Sequence, residues 1–483
     1  MAERQRTGHA GGQKGPVTKE GRQERKQRIQ THGRASVTRS IADAVVVKDA
    51  DMFFLCEPDG RVPLGGEHGF GLYYHDCRFL NGYELSLAHA APEVLAATAD
   101  RGFMAIIQLT NPDITLSGGK LIRKEELGIK WERILDSSTR MFCDTLTVQN
   151  YGPQPAEFPV ILTFQSEFEP LFAVRGPLGE KLGKRQPPRW QEGTLHFCYD
   201  GADKIRRSMA ISFSPAPHLT DGTAAHFYIS LQPEETRQIR VSLCLAESHE
   251  QDTGEAKVSV PPDFEGMKGR LQASSDQSLA QGTELQSDNV VLNRVMERSL
   301  RDLHLLQTSL AGQKFFAAGV PWFVALFGRD SLIAALQTLA YNPDLAAHTL
   351  RLLARYQGQK VDEWRDAQPG KIMHELRVGE LAHLNEIPQT PYHGTVDATA
   401  LFLILLARHA AWTGDLSLFN ELRSHVERAL AWMAQYGDQD KDGYLEYQSV
   451  SQKGLINQGW KDSGDAIVNG DGSLAQPPIA LVE

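Results

Sequence analysis

Residues 288–310 read DNVVLNRVMERSLRDLHLLQTSL, and the chain changes its hydrophobic period here. Val291, Leu292, Val295, Leu300 and Leu303 fall close to a 3.6-residue repeat, which predicts an amphipathic helix. The same period continues through RDSLIAALQTLAY (329–341), DLAAHTLRLLARYQ (344–357), VDATALFLILLARHAAWTG (396–414) and DLSLFNELRSHVERALAWMAQYG (415–437). Asp344 and Asp415 stand where N-caps are expected, and Gly414 and Gly437 where helices should stop.

Upstream of 288 the pattern is different. DAVVVKDADMFFLC (43–56), GFGLYYHDCRFLNGYELSL (69–87), FMAIIQLT (103–110), MFCDTLTVQNYG (141–152), AEFPVILTFQSEF (156–168) and QIRVSLCLA (238–246) are short runs rich in β-branched and aromatic residues. Turn residues separate them, as in a β-sandwich. DTLTVQN and EFPVILTF read as a hairpin connected through Asn150, Tyr151, Gly152 and Pro153. Strands followed by helices argue for two domains rather than one interleaved α/β unit. The expected boundaries are a disordered basic tail at 1–40, a β-sandwich at 41–250, a polar linker with one short helix at 251–288, and a helical domain from 289 to 483.

The net charge of −10 argues against nucleic acid as the main partner, because phosphate binding needs a basic surface. The five cysteines form neither a CxxC nor a Cys/His cluster, which speaks against disulfides and zinc and fits a reducing compartment. No run approaches a membrane span, and the N-terminus lacks an apolar signal core, so a cytoplasmic location is expected. Oligomeric state is not legible.

GFGLYYHDCRFLNGYEL (69–85), GVPWFVALFGRDSLIAALQTL (319–339), DEWRDAQPGKIMHELRVGE (362–380), YHGTVDATALFL (392–403) and NQGWKDSGDAIVNGDGSLAQPPIALVE (457–483) together resemble the glycogen-debranching-like family, the amylo-α-1,6-glucosidase type. The resemblance covers about residues 43–483. It implies an N-terminal β-sandwich and a six-hairpin (α/α)6 glycosidase barrel. Residues 289–483 hold about half of the twelve helices that such a barrel needs. The family's general base belongs to the other half, so the chain is expected to be truncated.

Inverting hydrolysis of a glycoside needs one carboxyl as acid and another to activate water. The family's acid aligns with Asp462 in GWKDSGDA, beside Trp460 and Lys461. On the residues alone, Asp462 and Asp465 equally suit caps of a surface turn. The resemblance gives Arg329 and Asp330 the role of gripping sugar hydroxyls at the −1 subsite, and Trp322 and Phe323 could offer a face to the ring. Asp330 suits a helix N-cap as well. The long polar connection around DAQPGKIMHELRVGE makes His374, Glu375 and Arg377 candidates for lining the cleft, or for knitting the loop. Tyr392 and Asp397 are candidates to face the sugar, with Thr395 as N-cap. HELRV lacks the second His of a zinc protease.

GDQDKDGYLEY (437–447) alternates Asp438, Asp440 and Asp442 with Gly443 at the sixth place, as in a calcium loop. The twelfth place holds Ser449 instead of Glu, so a tight acidic turn is expected and no metal. Tyr73, Tyr74, His75, Asp76 and Arg78 read as a buried polar network at the domain junction. The expected function is an inverting glycoside hydrolase of α-glucosidic, α-1,6 linkages in an α-glucan, without cofactor. The alternative is a glycan-binding protein that lacks the base.

Overall fold

The structure, a computed structural model, describes residues 41–99, 101–116, 118–176, 182–249 and 263–480. The basic segment 1–40 lies outside the described residues. The order is β then α, as the period change predicts.

The β domain contains a nine-stranded, a five-stranded and a four-stranded antiparallel sheet. The two smaller sheets cover the large one. Phe54 of the five-stranded sheet meets Phe142 at 4.4 Å, and Tyr83 of the four-stranded sheet meets Trp131 at 5.3 Å. Val47, Leu146, Val160 and Leu162 share this single core. All five cysteines are free, and four are buried.

The expected hairpin is absent. Met141–Asn150 pairs within the nine-stranded sheet, while Ala156–Gln165 pairs with Gly82–Leu87 and Ala224–Leu231 in the four-stranded one. Both strands bury most of their residues, so each takes its place in a different layer. Asn150 shapes the crossing, accepting from Gly152 N and donating to the carbonyls of Gln154 and Leu231.

Helix α1 (Phe264–Ala280) occupies the expected linker. It is longer than the sequence suggests. Asp263 caps it by accepting from Gly266 N, and Phe264 and Met267 pack on Phe103, Met104 and Ile134 of the β domain. Helix α2 (Val290–Leu306) forms as predicted, but buries none of its residues. Val290, Val291, Leu292 and Val295 are exposed.

Helices α3 (Gly328–Gln337), α4 (Pro343–Arg355), α5 (Asp397–Thr413) and α6 (Ser417–Trp432) form the second core. Leu332, Leu350, Leu353, Phe402, Leu405 and Leu422 meet there. Each such side chain contributes about 1.5–3 kcal/mol by leaving water. The cap of α4 is Asn342 rather than Asp344, which sits in the first turn. Asp415 accepts from Ser417 N at the start of α6, and Gly414 ends α5 with φ +70°. Among the described residues, no helix is long and apolar enough to cross a membrane.

Candidate active site

The site begins where a short strand turns into α3. Leu326–Phe327 pairs with Glu375–Leu376, and Gly328 N donates to the carbonyl of His374 at 2.8 Å. A Cβ at Gly328 would lie 2.0 Å from the carbonyl oxygen of Met373, so only glycine allows this approach. The next residue is Arg329.

Arg329 is 7% exposed and serves three elements. Its Nη1 donates to Asp397 Oδ2 at 2.9 Å and to the carbonyl of Gly459 at 2.6 Å, and its Nη2 donates to Asp462 Oδ2 at 2.9 Å. Burial opposes its charge, but Asp397 and Asp462 hold the guanidinium charged. It also lies 5.8 Å from the ring centroid of Trp460. Residues far apart in sequence therefore converge on one cation.

The carboxylates differ in setting. Asp397 opens α5, is 4% exposed, and also accepts from Thr395 Oγ1. Thr395 therefore bonds the Asp397 side chain instead of capping the helix. Asp462 has a side chain 39% exposed, and its Oδ2 accepts from Arg329. Asp330 lies inside the first turn of α3, whose N-cap position is Phe327. Burial raises its carboxyl above the ordinary range, Arg329 opposes this, and Asp462 and Asp397 add to it. Trp460 and Lys461 are exposed beside Asp462.

Several expected sugar contacts lie elsewhere. Trp322 is buried in the β-domain core, so its ring offers no face to a pyranose. Phe323 is exposed and meets Phe327 edge-on at 5.9 Å. His374 is buried between Phe327 and Tyr392, and burial pulls it down to about 3, so the ring is neutral. Glu375 and Arg377 pair with each other inside the junction. Arg377 also donates to Asp76 Oδ1 at 2.9 Å and to the carbonyl of Trp322 at 2.8 Å. These two residues bind the domains together rather than lining a cleft. Glu380 reinforces the junction by accepting from Tyr199 Oη at 2.7 Å and Ala202 N at 2.6 Å. Asp76 belongs to this network, whereas His75 bonds Asp51 and Glu247 within the β domain.

Tyr392 is fully buried and donates to Asp366 Oδ2 at 2.8 Å. Asp366 is the residue that the sequence reading undervalued. It adopts φ +48°, and it also accepts from Ser449 Oγ, Val450 N, Ser451 N and Gln458 Nε2. It thereby anchors the segment leading to Asp462. The left-handed conformation of a non-glycine residue was not legible in DAQPG.

Residues 47–242 match the family model described as the N-terminal domain of (some) glycogen debranching enzymes. The matched residues make up most of the β domain, and the helical domain lies outside them. No curated protein matches it in sequence. A structure named as that of a kojibiose phosphorylase from the human microbiome aligns over 77% of this chain and 54% of its own, with TM-score 0.55 and 8% identity. A bacterial glucoamylase complexed with acarbose covers 81% of this chain and 58% of its own, with TM-score 0.49 and 10% identity. The chain thus spans little more than half the length of these solved structures.

Proposed function

We propose that this chain acts on carbohydrate as an inverting glycoside hydrolase of α-glucosidic linkages, with α-1,6 branch points of an α-glucan as substrate. The observation that carries this reading is the convergence of Asp330, Asp397 and Asp462 around the Arg329 guanidinium, beside the exposed ring of Trp460. Neutral sugars are held by hydroxyl bonds to such charged groups and by stacking on an aromatic face.

In this reading Asp462 is the general acid. Arg329 fixes one of its oxygens. Asp330 and Arg329 hold the terminal sugar. Asp397 is a positioning residue, since it is buried and bonded to Arg329 and Thr395. No residue is assigned as the base. In the proposed architecture, α2 to α6 contribute to an (α/α)6 barrel.

One observation favours a second reading, a glycan-binding protein without hydrolysis: Asp397 and Asp462 each already accept from Arg329. Reducing sugar released from a branched α-glucan separates the two. Release by this chain, at least 100-fold lower in Asp462→Asn, supports hydrolysis; removing a general acid costs about 10²–10⁴ in rate. Binding without release, unchanged by Asp462→Asn, supports the second reading.

A further inference from the structure

After α6 the chain makes a π turn, Met433–Gly437, and then a loop before the short strand Glu446–Tyr447. Asp438, Asp440, Asp442 and Glu446 each place a carboxylate oxygen in one group, all within 4.8 Å of one another. Asp440 and Asp442 are exposed, while Glu446 is only 8% exposed. Glu446 Oε2 accepts from Gln439 N at 2.7 Å. Its Oε1 is buried and has no hydrogen-bond partner among the described residues, and the same holds for Asp438 Oδ1. Lys441 does not pair with these carboxylates. Its ammonium donates to the carbonyls of Ala434 and Asp438, at 2.8 and 2.7 Å.

Four negative groups therefore converge, and two of their oxygens are buried without a donor. Such oxygens are normally bonded or bind a cation. We propose that Asp438, Asp440, Asp442 and Glu446 form a calcium site. All four ligands are hard oxygens, which suit Ca²⁺ and not zinc. Ca²⁺ accepts about six to eight oxygens in flexible geometry, carboxylates among them, whereas Mg²⁺ demands a near-ideal octahedron and keeps several waters, so four carboxylates in one loop suit the larger ion.

The ligands at places one, three and five follow the calcium-loop spacing, and Gly443 at place six has φ +94°. The missing twelfth ligand does not defeat the site. Ser449 there donates to Asp366 instead, and Glu446 enters from the ninth place. The site leads into the segment that carries Asp462, because Tyr447 Oη donates to Asn457 Oδ1 at 3.3 Å.

The test is calorimetric titration of the metal-stripped full chain with CaCl₂, paired with thermal unfolding. One Ca²⁺ should bind with Kd of about 10⁻⁶–10⁻⁴ M and raise Tm, with Mg²⁺ at least tenfold weaker. Glu446→Gln and Asp440→Asn should each weaken binding at least tenfold. Asp440 is exposed, so its variant folds and reports binding alone. Absence of Ca²⁺ binding by the parent chain, or unchanged binding in both variants, overturns the proposal.

Discussion

Replacing Arg329 with methionine tests whether one guanidinium holds the site together. The substitution keeps a long side chain and removes the charge. Asp397, 4% exposed, is left with Thr395 Oγ1 as its donor among the described residues. A buried carboxylate without its cation costs about 3–5 kcal/mol. Asp462 adds little, because at 39% exposure it rehydrates, and exposed pairs contribute about 0–1 kcal/mol. The expected loss is therefore about 4 kcal/mol, nearly three decades in the folding equilibrium. Urea unfolding followed by far-ultraviolet circular dichroism measures it. Adding Asp397→Asn removes the stranded charge, so the double variant should regain about 2 kcal/mol. Asp462→Asn alone should cost less than about 1 kcal/mol. A loss below about 1 kcal/mol for Arg329→Met, or a double variant no more stable than the single, refutes the reasoning.

Two further outcomes follow from the polar interior. Asp366→Asn keeps the left-handed backbone but loses an acceptor shared by Tyr392, Ser449 and Gln458. It should cost about 2–3 kcal/mol and speed protease cleavage within 449–458; unchanged cleavage and stability would remove Asp366 as the anchor. For His75, burial opposes the charged form, but hydrogen bonds to Asp51 and Glu247 outweigh it and lift the imidazole to about 9. Because the folded value lies above the unfolded one, its stabilisation is full below about pH 6.5 and is lost as pH rises through about 9. The urea midpoint should fall across that window in the parent chain and fall less in His75→Asn. An equal slope in both excludes His75 as the cause.

The two-domain order was legible in the sequence because burial leaves different periods in strands and helices. Pairing was less legible. Met141–Asn150 and Ala156–Gln165 look like hairpin partners because only five residues separate them, yet the choice of layer is decided by residues elsewhere in the chain. Helix α1 hid behind Gly266, Gly269 and many polar residues, and its buried apolar anchors are Phe264 and Met267, with Leu271 packed beside them. At the site, residue type was readable and placement was not. Arg329 and Asp462 were singled out from their motifs, but their contact spans 133 positions. Trp322 and Tyr392 read as sugar contacts because aromatic residues suit both a cleft and a core, and here packing took them inside. Glu446 escaped notice because the calcium-loop pattern directs attention to the twelfth place.

Gly328 sets a tolerance for the whole site. The clamp takes its position from main chain resting on main chain, Gly328 against Met373 and His374. A datum of this kind has almost no slack. Substitutions in the surrounding core can be absorbed by small rotations of neighbouring side chains, whereas one added methyl at position 328 would lift the start of α3 and carry Arg329 with it. Misalignment of the guanidinium would then reach Asp397, Gly459 and Asp462 together, although none of them touches the altered atom.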